Sequence, residues 1–202
     1  MKNFHQILLP FHGYHLQVGL LKRINNLDLL LSKIKTGKIK SLYSDNDQEI
    51  ITYLFLNPAH ITSIEQIEVT CMLILDRLNS NKLTTKAGLA SEFISCLDDQ
   101  RSIRESLKIF GISDTTEDLL LIFLYKSNLS QDVVSPYIDT ILSFVNFEEF
   151  QPPCSISQTL SKNQHRPELK EMFGITDGEE ELCGNSSIDY SGLARINTKA
   201  LL

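Results

Sequence analysis

The chain has 202 residues, 42% hydrophobic and 22% charged, with a formal net charge of −6. That length suits one domain with appendages, and that apolar content excludes global disorder. The acidic balance argues against a protein that coats nucleic acid over its whole surface, but a local basic patch remains compatible with it.

Cys71, Cys96, Cys154 and Cys183 are widely spaced and form no Cys-x-x-Cys pair. Reduced thiols are therefore expected, rather than a disulfide frame or a zinc site. The apolar run before Pro10 is too short for a signal peptide, and no segment reaches membrane-spanning length.

Taken in chain order, Gln6–Phe11 and His15–Leu21 predict two short strands around a turn at His12-Gly13. Asn25 or Asn26 then caps a helix whose apolar stripe is Leu27, Leu30, Leu31 and Ile34, closed by Gly37. Residues 38–54 are mixed and polar and read as an inserted loop. Asn57-Pro58 is a turn signal. Ser63 and Gln66 form a capping box, opening a helix with Ile64, Ile67, Cys71, Leu75 and Leu78 on one face. Leu89–Leu97 predicts a strand from Glu92 to Leu97.

The stretch Ser102–Tyr125 carries the clearest local code. Ser102 and Glu105 form a second capping box, and Ile103, Leu107 and Phe110 share a helical face. Gly111 is suited to a left-handed close, with Ile112 folding back as hydrophobic partner. Leu119–Tyr125 is a run of seven apolar residues and predicts a strand buried on both faces. Pro136 suits the first turn of a helix running to about Phe144. Gln151-Pro-Pro marks a break, and Glu168–Phe173 a short helix ended by Gly174. A polar loop is expected over about 176–187, and an amphipathic piece through Leu193, Ile196 and Leu202 closes the chain. There are no internal repeats. The uneven alternation predicts a single α/β (α+β) domain over 1–202, with a small, mostly antiparallel sheet packed with several helices.

Catalytic signatures are absent: no Walker loop, no Gly-x-Gly-x-x-Gly, no Gly-x-Ser-x-Gly. His12 and His15 have neither helical metal-ligand spacing nor a third ligand, so ordinary turn histidines are expected and no metal or cofactor. Glu92 sits among apolar neighbours without an accompanying base or nucleophile, which favours a structural or partner-binding role. Lys82, Lys86, Arg101, Arg104 and Lys108 are interleaved with Thr84, Thr85 and Ser102. If the Lys82–Lys86 loop neighbours the helix at Ser102, they form a patch able to hold a few phosphates. The alternative is a set of solvated lysines.

The order and spacing of several motifs resemble a known family. They begin near His5-Gln6 and resume at Asn57-Pro58, Gln66-Ile67, Lys82-Leu83, Thr85-Lys86 and Ser91-Glu92. They are densest at Ile103, Leu107 and Phe110-Gly111-Ile112, with Glu168-Leu-Lys-Glu-Met-Phe and Arg195-Ile-Asn-Thr-Lys near the end. This pattern is similar to the small, non-catalytic, kinase-binding subunit of the KEOPS (EKC) complex, which makes threonylcarbamoyladenosine on tRNA. The resemblance implies a non-enzymatic protein, cytoplasmic and nuclear. It would bind the N-lobe of the complex's atypical kinase, stimulate its ATPase activity, help hold the tRNA 3′ CCA end and meet the other subunits indirectly. Leu27, Leu30, Leu31, Leu193, Ile196 and Leu202 are the implied kinase-binding residues. Lys82, Lys86, Arg101 and Arg104 are the implied tRNA-binding residues. Two other readings are compatible with the residues. One is a small hydrolase or ligand-binding domain with a pocket near Glu92 or His60. The other is an adaptor that uses the 38–53 stretch.

Overall fold

The computed structural model describes residues 4–9, 12–43, 49–84, 88–98, 101–163, 167–183 and 193. Its organising element is strand β5 (Leu119–Lys126), the apolar run noted above, in which Leu119 to Tyr125 are all buried. It lies between β2 (Tyr14–Ile24) and β4 (Glu49–Leu56), antiparallel to both. β1 (His5–Leu9) pairs with the first half of β2, and β6 (Phe147–Phe150) with its far end. β3 (Leu42–Tyr43) pairs with the start of β4. The described sheet thus has six strands, in the order β1-β2-β5-β4-β3 with β6 also on β2, and every pairing is antiparallel.

Period-2 alternation sorts these strands into two cores. The rows Val18–Ile122–Leu54 and Leu20–Leu120–Leu56 face one side. They are covered by α2 (Ile64–Asn79), α3 (Leu89–Cys96), α4 (Ile103–Phe110) and α6 (Pro153–Asn163). Leu21–Leu119 and Leu121–Phe55 face the other side, covered by α1 (Leu27–Lys35) and α5 (Gln131–Ser143). Gly19 lies on this second face, where a Cβ would come within 2.6 Å of the Phe4 ring and 3.0 Å of Phe150. A side chain here would displace the Phe4–Phe150 pair, whose rings meet edge to face at 5.1 Å. α7 (Pro167–Phe173) buries Leu169 and Phe173, and α8 (Asp177–Cys183) follows. The molecule is an α+β single domain, as its sequence pattern predicts.

Several local expectations are corrected. Residues 89–97 form helix α3, not a strand. Leu89, Phe93 and Cys96 recur at helical spacing and face the core, and Gly88 (φ 90°) opens the turn. The stretch read as an inserted loop contributes β3 and, from Glu49 onward, β4, whose Ile51 and Leu54 are core residues. Its alternation escapes notice because Thr52 is buried as well. Within the expected polar loop, Asp177–Cys183 is helical. Thr176 and Glu179 form its capping box, with the Thr176 N–H 2.8 Å from Glu179 Oε2 and the Glu179 N–H 3.3 Å from Thr176 Oγ1. α5 starts five residues before Pro136, so this proline lies in the second turn. Gly111 is extended (φ −73°), not left-handed. It is pressed against the helix it follows: a Cβ would sit 2.4 Å from the Leu107 carbonyl oxygen. α6 and β6 had no counterpart in the sequence reading.

The caps fare better. Ser102 and Glu105 make both halves of their box. Ser63 Oγ accepts the Gln66 N–H at 3.2 Å, but Gln66 Oε1 reaches one residue further back, to the Thr62 N–H at 2.9 Å. Asn26 occupies the N-cap of α1. Its side chain instead ties the helix to the α5–β6 connection, donating to the Phe144 carbonyl at 2.9 Å and accepting the Asn146 N–H at 2.8 Å.

Candidate partner-binding surfaces

The basic set is organised by α3. Glu92 is fully buried there, among apolar neighbours. Arg77, near the end of α2, donates to Glu92 Oε1 at 3.0 Å and to Cys96 Sγ at 3.2 Å. Thr84 supplies its backbone N–H to Glu92 Oε2 at 3.0 Å and places its hydroxyl 3.0 Å from both carboxylate oxygens. A buried carboxylate is tolerable only when paired and hydrogen-bonded. Glu92 meets that condition by holding the loop after α2 in place. The loop turns at Asn81 (φ 54°), and the Lys82 N–H bonds the Arg77 carbonyl at 2.7 Å. Lys82 is therefore an exposed cation on a backbone pinned at both sides.

Arg101 is tied to the same region by an ion pair of 2.8 Å with the buried Asp98. Arg104 and Lys108 are exposed on α4. Glu105 in the cap beside them is held below the usual carboxylate range, first by its hydrogen bonds to Ser102. Lys86 lies outside the described residues.

The apolar set divides. Leu30 is wholly buried with Leu21, Phe55 and Val134, so it docks α1 on the sheet and is not available to a partner while that packing holds. Leu27 and Leu31 are half-buried. Leu29, which the stripe analysis passed over, is 53% exposed. Leu193 lies in helical backbone and is half-buried, while Ile196 and Leu202 fall outside the described residues.

Two concavities adjoin these elements. An apolar groove of about 470 Å³ runs between α1 and the α3–α4 pair across β4, with Leu31, Ile34, Ile94, Leu107 and Ile112 in its walls. A polar cleft of about 670 Å³ lies at the short 3-10 turn Pro58–His60, lined by Lys22, His60, Thr116, Asp118, Lys162 and Glu168 among others. Lys22 and Asp118 neutralise each other there at 2.6 Å. Its described lining contains neither serine nor cysteine; the hydroxyls it offers are those of Thr115, Thr116 and Thr159, of which Thr116 Oγ1 already accepts the Ser113 N–H at 2.9 Å.

The remaining chemistry candidates are structural. His12 pairs with Asp76 of α2 at 2.9 Å, and His15 lies against Tyr125. Burial pushes the Cys71 thiol well up, leaving it protonated and inert. Cys96 is also buried, and Cys154 is exposed.

The model of the family described as "Kinase binding protein CGI-121" matches residues 22–200, nearly the whole chain. The chain belongs to that family. A curated relative, the EKC/KEOPS complex subunit CGI121 of Candida glabrata, is 26% identical over 156 residues, covering 77% of this chain and 75% of the relative. The family match begins at Lys22, after β1 and most of β2, and includes the helices and loops that carry Lys82, Glu92, Arg101 and Leu107. Of the groups that build these surfaces, the sequence alone singled out Glu92, Leu31 and the cations. It missed Arg77, whose position fifteen residues before Glu92 gives no local signal.

Proposed function

We propose that this chain is a non-catalytic, kinase-binding subunit of a KEOPS/EKC complex required for threonylcarbamoyladenosine modification of tRNA. It docks on the N-lobe of the complex's atypical kinase and stimulates its ATP hydrolysis. It also helps to hold the tRNA 3′ CCA end, and it acts in the cytoplasm and nucleus. The observation that carries this reading is the family match over residues 22–200. The half-buried Leu27 and Leu31 and the exposed Leu29 of α1, with the pinned Lys82 loop, are consistent with the two contacts. The kinase surface comprises Leu27, Leu29 and Leu31 with Leu193, and extends to Ile196 and Leu202. The tRNA surface comprises Lys82, Lys86, Arg101 and Arg104. Few phosphates are neutralised by such a set, so tRNA affinity is weak and salt-sensitive.

Co-purification with the kinase from the same organism, followed by ATPase assays with and without tRNA, tests the reading. A stoichiometric complex with stimulated hydrolysis is the expected result. Leu193→Glu and Leu29→Glu should abolish kinase binding with the fold intact, whereas normal binding by a folded variant removes that residue from the surface. A folded wild-type protein that ignores the kinase overturns the reading. It would leave the second one, a small-ligand domain, for which the polar cleft at His60 is the place to look.

A further inference from the structure

Resting on the kinase-binding reading, we propose that the groove between α1 and α4 receives a short apolar segment of the kinase that carries carboxylates. Three observations converge on it. The first is an unmatched apolar surface on both walls. α4 turns Phe110 into the core yet leaves Leu107, from the same stripe, 45% exposed. Opposite it, Leu31 and Ile34 of α1 are only half-buried, although the adjacent Leu30 is wholly inside. An apolar stripe that one fold covers only in part is what an intermolecular contact completes.

The second is depth. Ala90, Ser91 and Gly111 line the groove, and small side chains there leave room for larger ones from outside. Gly111 has no freedom to be otherwise, since a Cβ would strike the Leu107 carbonyl oxygen.

The third is charge. Among the described residues, the lining contains Lys35 and Lys40 and no carboxylate, in a chain whose net charge is −6. The backbone that presents Lys40 is fixed by two tyrosines: Tyr137 Oη donates to the Lys40 carbonyl at 2.7 Å, and Tyr53 Oη to the Ile39 carbonyl at 2.9 Å. The cationic rim is thus set on a held backbone before a partner arrives, which reduces the ordering cost of association.

An apolar occupant with carboxylates satisfies the aliphatic walls and the two ammonium groups together. A single-stranded nucleic-acid end is also anionic, but it needs flat aromatic faces for its bases. Of the two aromatic residues in the described lining, Phe55 is buried and Tyr53 packs edge-on against it, with ring centroids 5.2 Å apart. The walls offered to an occupant are aliphatic, and that favours a peptide.

The test compares wild-type protein, the double variant Lys35→Glu/Lys40→Glu and Leu107→Glu. Each is titrated with the purified kinase and, separately, with a single-stranded RNA oligonucleotide ending in CCA. The substituted side chains are exposed, so circular dichroism should be unchanged. Both variants should weaken kinase binding by about tenfold or more. For the double variant the loss should shrink as salt is raised, and RNA binding should be unaffected. If the wild type binds the kinase and both variants bind equally well, the groove is not the docking site, while the kinase-binding reading survives. Loss confined to the RNA titration would make the occupant a nucleic acid and overturn the proposal. A wild type that does not bind the kinase removes both the reading and this occupant.

Discussion

The junction of α2 with α3 and the cap of α4 are built from the same chemistry, a glutamate that accepts a backbone N–H, but they differ in where that glutamate sits. Glu92 is buried and reaches back to Arg77 and Thr84. Glu105 is exposed and reaches back three residues to Ser102. The first bond joins two helices and fixes a loop. The second only starts a helix. Burial and sequence separation decide the consequence, because a carboxylate removed from water must be fully partnered, whereas one in water always has an alternative.

The largest effect is therefore expected at Glu92. Glu92→Ala leaves the Arg77 guanidinium, itself only 17% exposed, facing a cavity and strips Thr84 of its acceptor. A destabilisation of about 3 kcal/mol is expected in chemical denaturation, in the range found when one partner of a buried pair is removed. The Thr84 amide should also exchange faster with solvent. Glu92→Gln keeps the shape and should lose less. A change below 1 kcal/mol for the alanine variant would mean that the loop after α2 is held by something else.

Gly111 ranks next. It closes α4 by proximity: its Cα lies so near the Leu107 carbonyl that an added Cβ cannot be relieved by rotating a side chain. Gly111→Ala should cost about 2 kcal/mol, as overpacking does, because the last turn of α4 must move. That shift would also disturb the bridge between Gly111 and Leu56. If the cost instead matched that of an ordinary exposed Gly→Ala change, the close approach would not be a constraint.

These two positions show what the sequence makes legible. Strand β5 and the caps at Ser63 and Ser102 are visible because each is written in consecutive residues, as an apolar run or an i,i+3 pair. Helix α3 reads as a strand in the sequence because Ile94, Ser95 and Cys96 are poor helix formers taken singly and the helix is only eight residues long. Its helicity follows from packing against α2 and α4, which no local window contains. The first part of β4 reads as an inserted loop because both its faces are buried and its partner β5 arrives more than sixty residues later. The basic residues of the candidate site were legible as types. Their arrangement was not, since it depends on Arg77 meeting Glu92 and Arg101 meeting Asp98. The groove was hidden, because Leu107 looks like a core residue until the structure shows it 45% exposed.

A smaller effect is expected at Ser102. Ser102→Ala removes the Oγ that accepts the Glu105 N–H at 3.4 Å and donates to Glu105 Oε2 at 2.7 Å. A loss of about 1 kcal/mol is usual for such a cap. Comparing it with Glu92→Ala sharpens the contrast between local and tertiary roles. The Ser102 variant should fray the start of α4 in amide exchange and leave the Thr84 amide protected.

The smallest effect is the pH dependence of the same cap. Glu105 is held below its ordinary value in the folded protein, mainly by the side-chain hydrogen bond from Ser102 and then by the Ser102 N–H, with Arg101 and Lys108 adding to the shift. A carboxylate whose folded pKa is depressed stabilises the fold above its unfolded pKa of about 4.3 and loses that contribution as pH falls through the folded value. Wild type should therefore exceed Glu105→Gln in stability by a constant margin near neutral pH. That margin should begin to narrow as pH falls through about 5 and go on narrowing as the carboxylate is protonated. Because the carboxylate is exposed, the margin should also shrink in high salt, in which the parts due to Arg101 and Lys108 are screened. Glu92 offers no such relief: its carboxylate is fully buried, and the loss on replacing it should persist at any ionic strength. A Glu105 margin that survived high salt undiminished would show that the cap hydrogen bonds alone carry it.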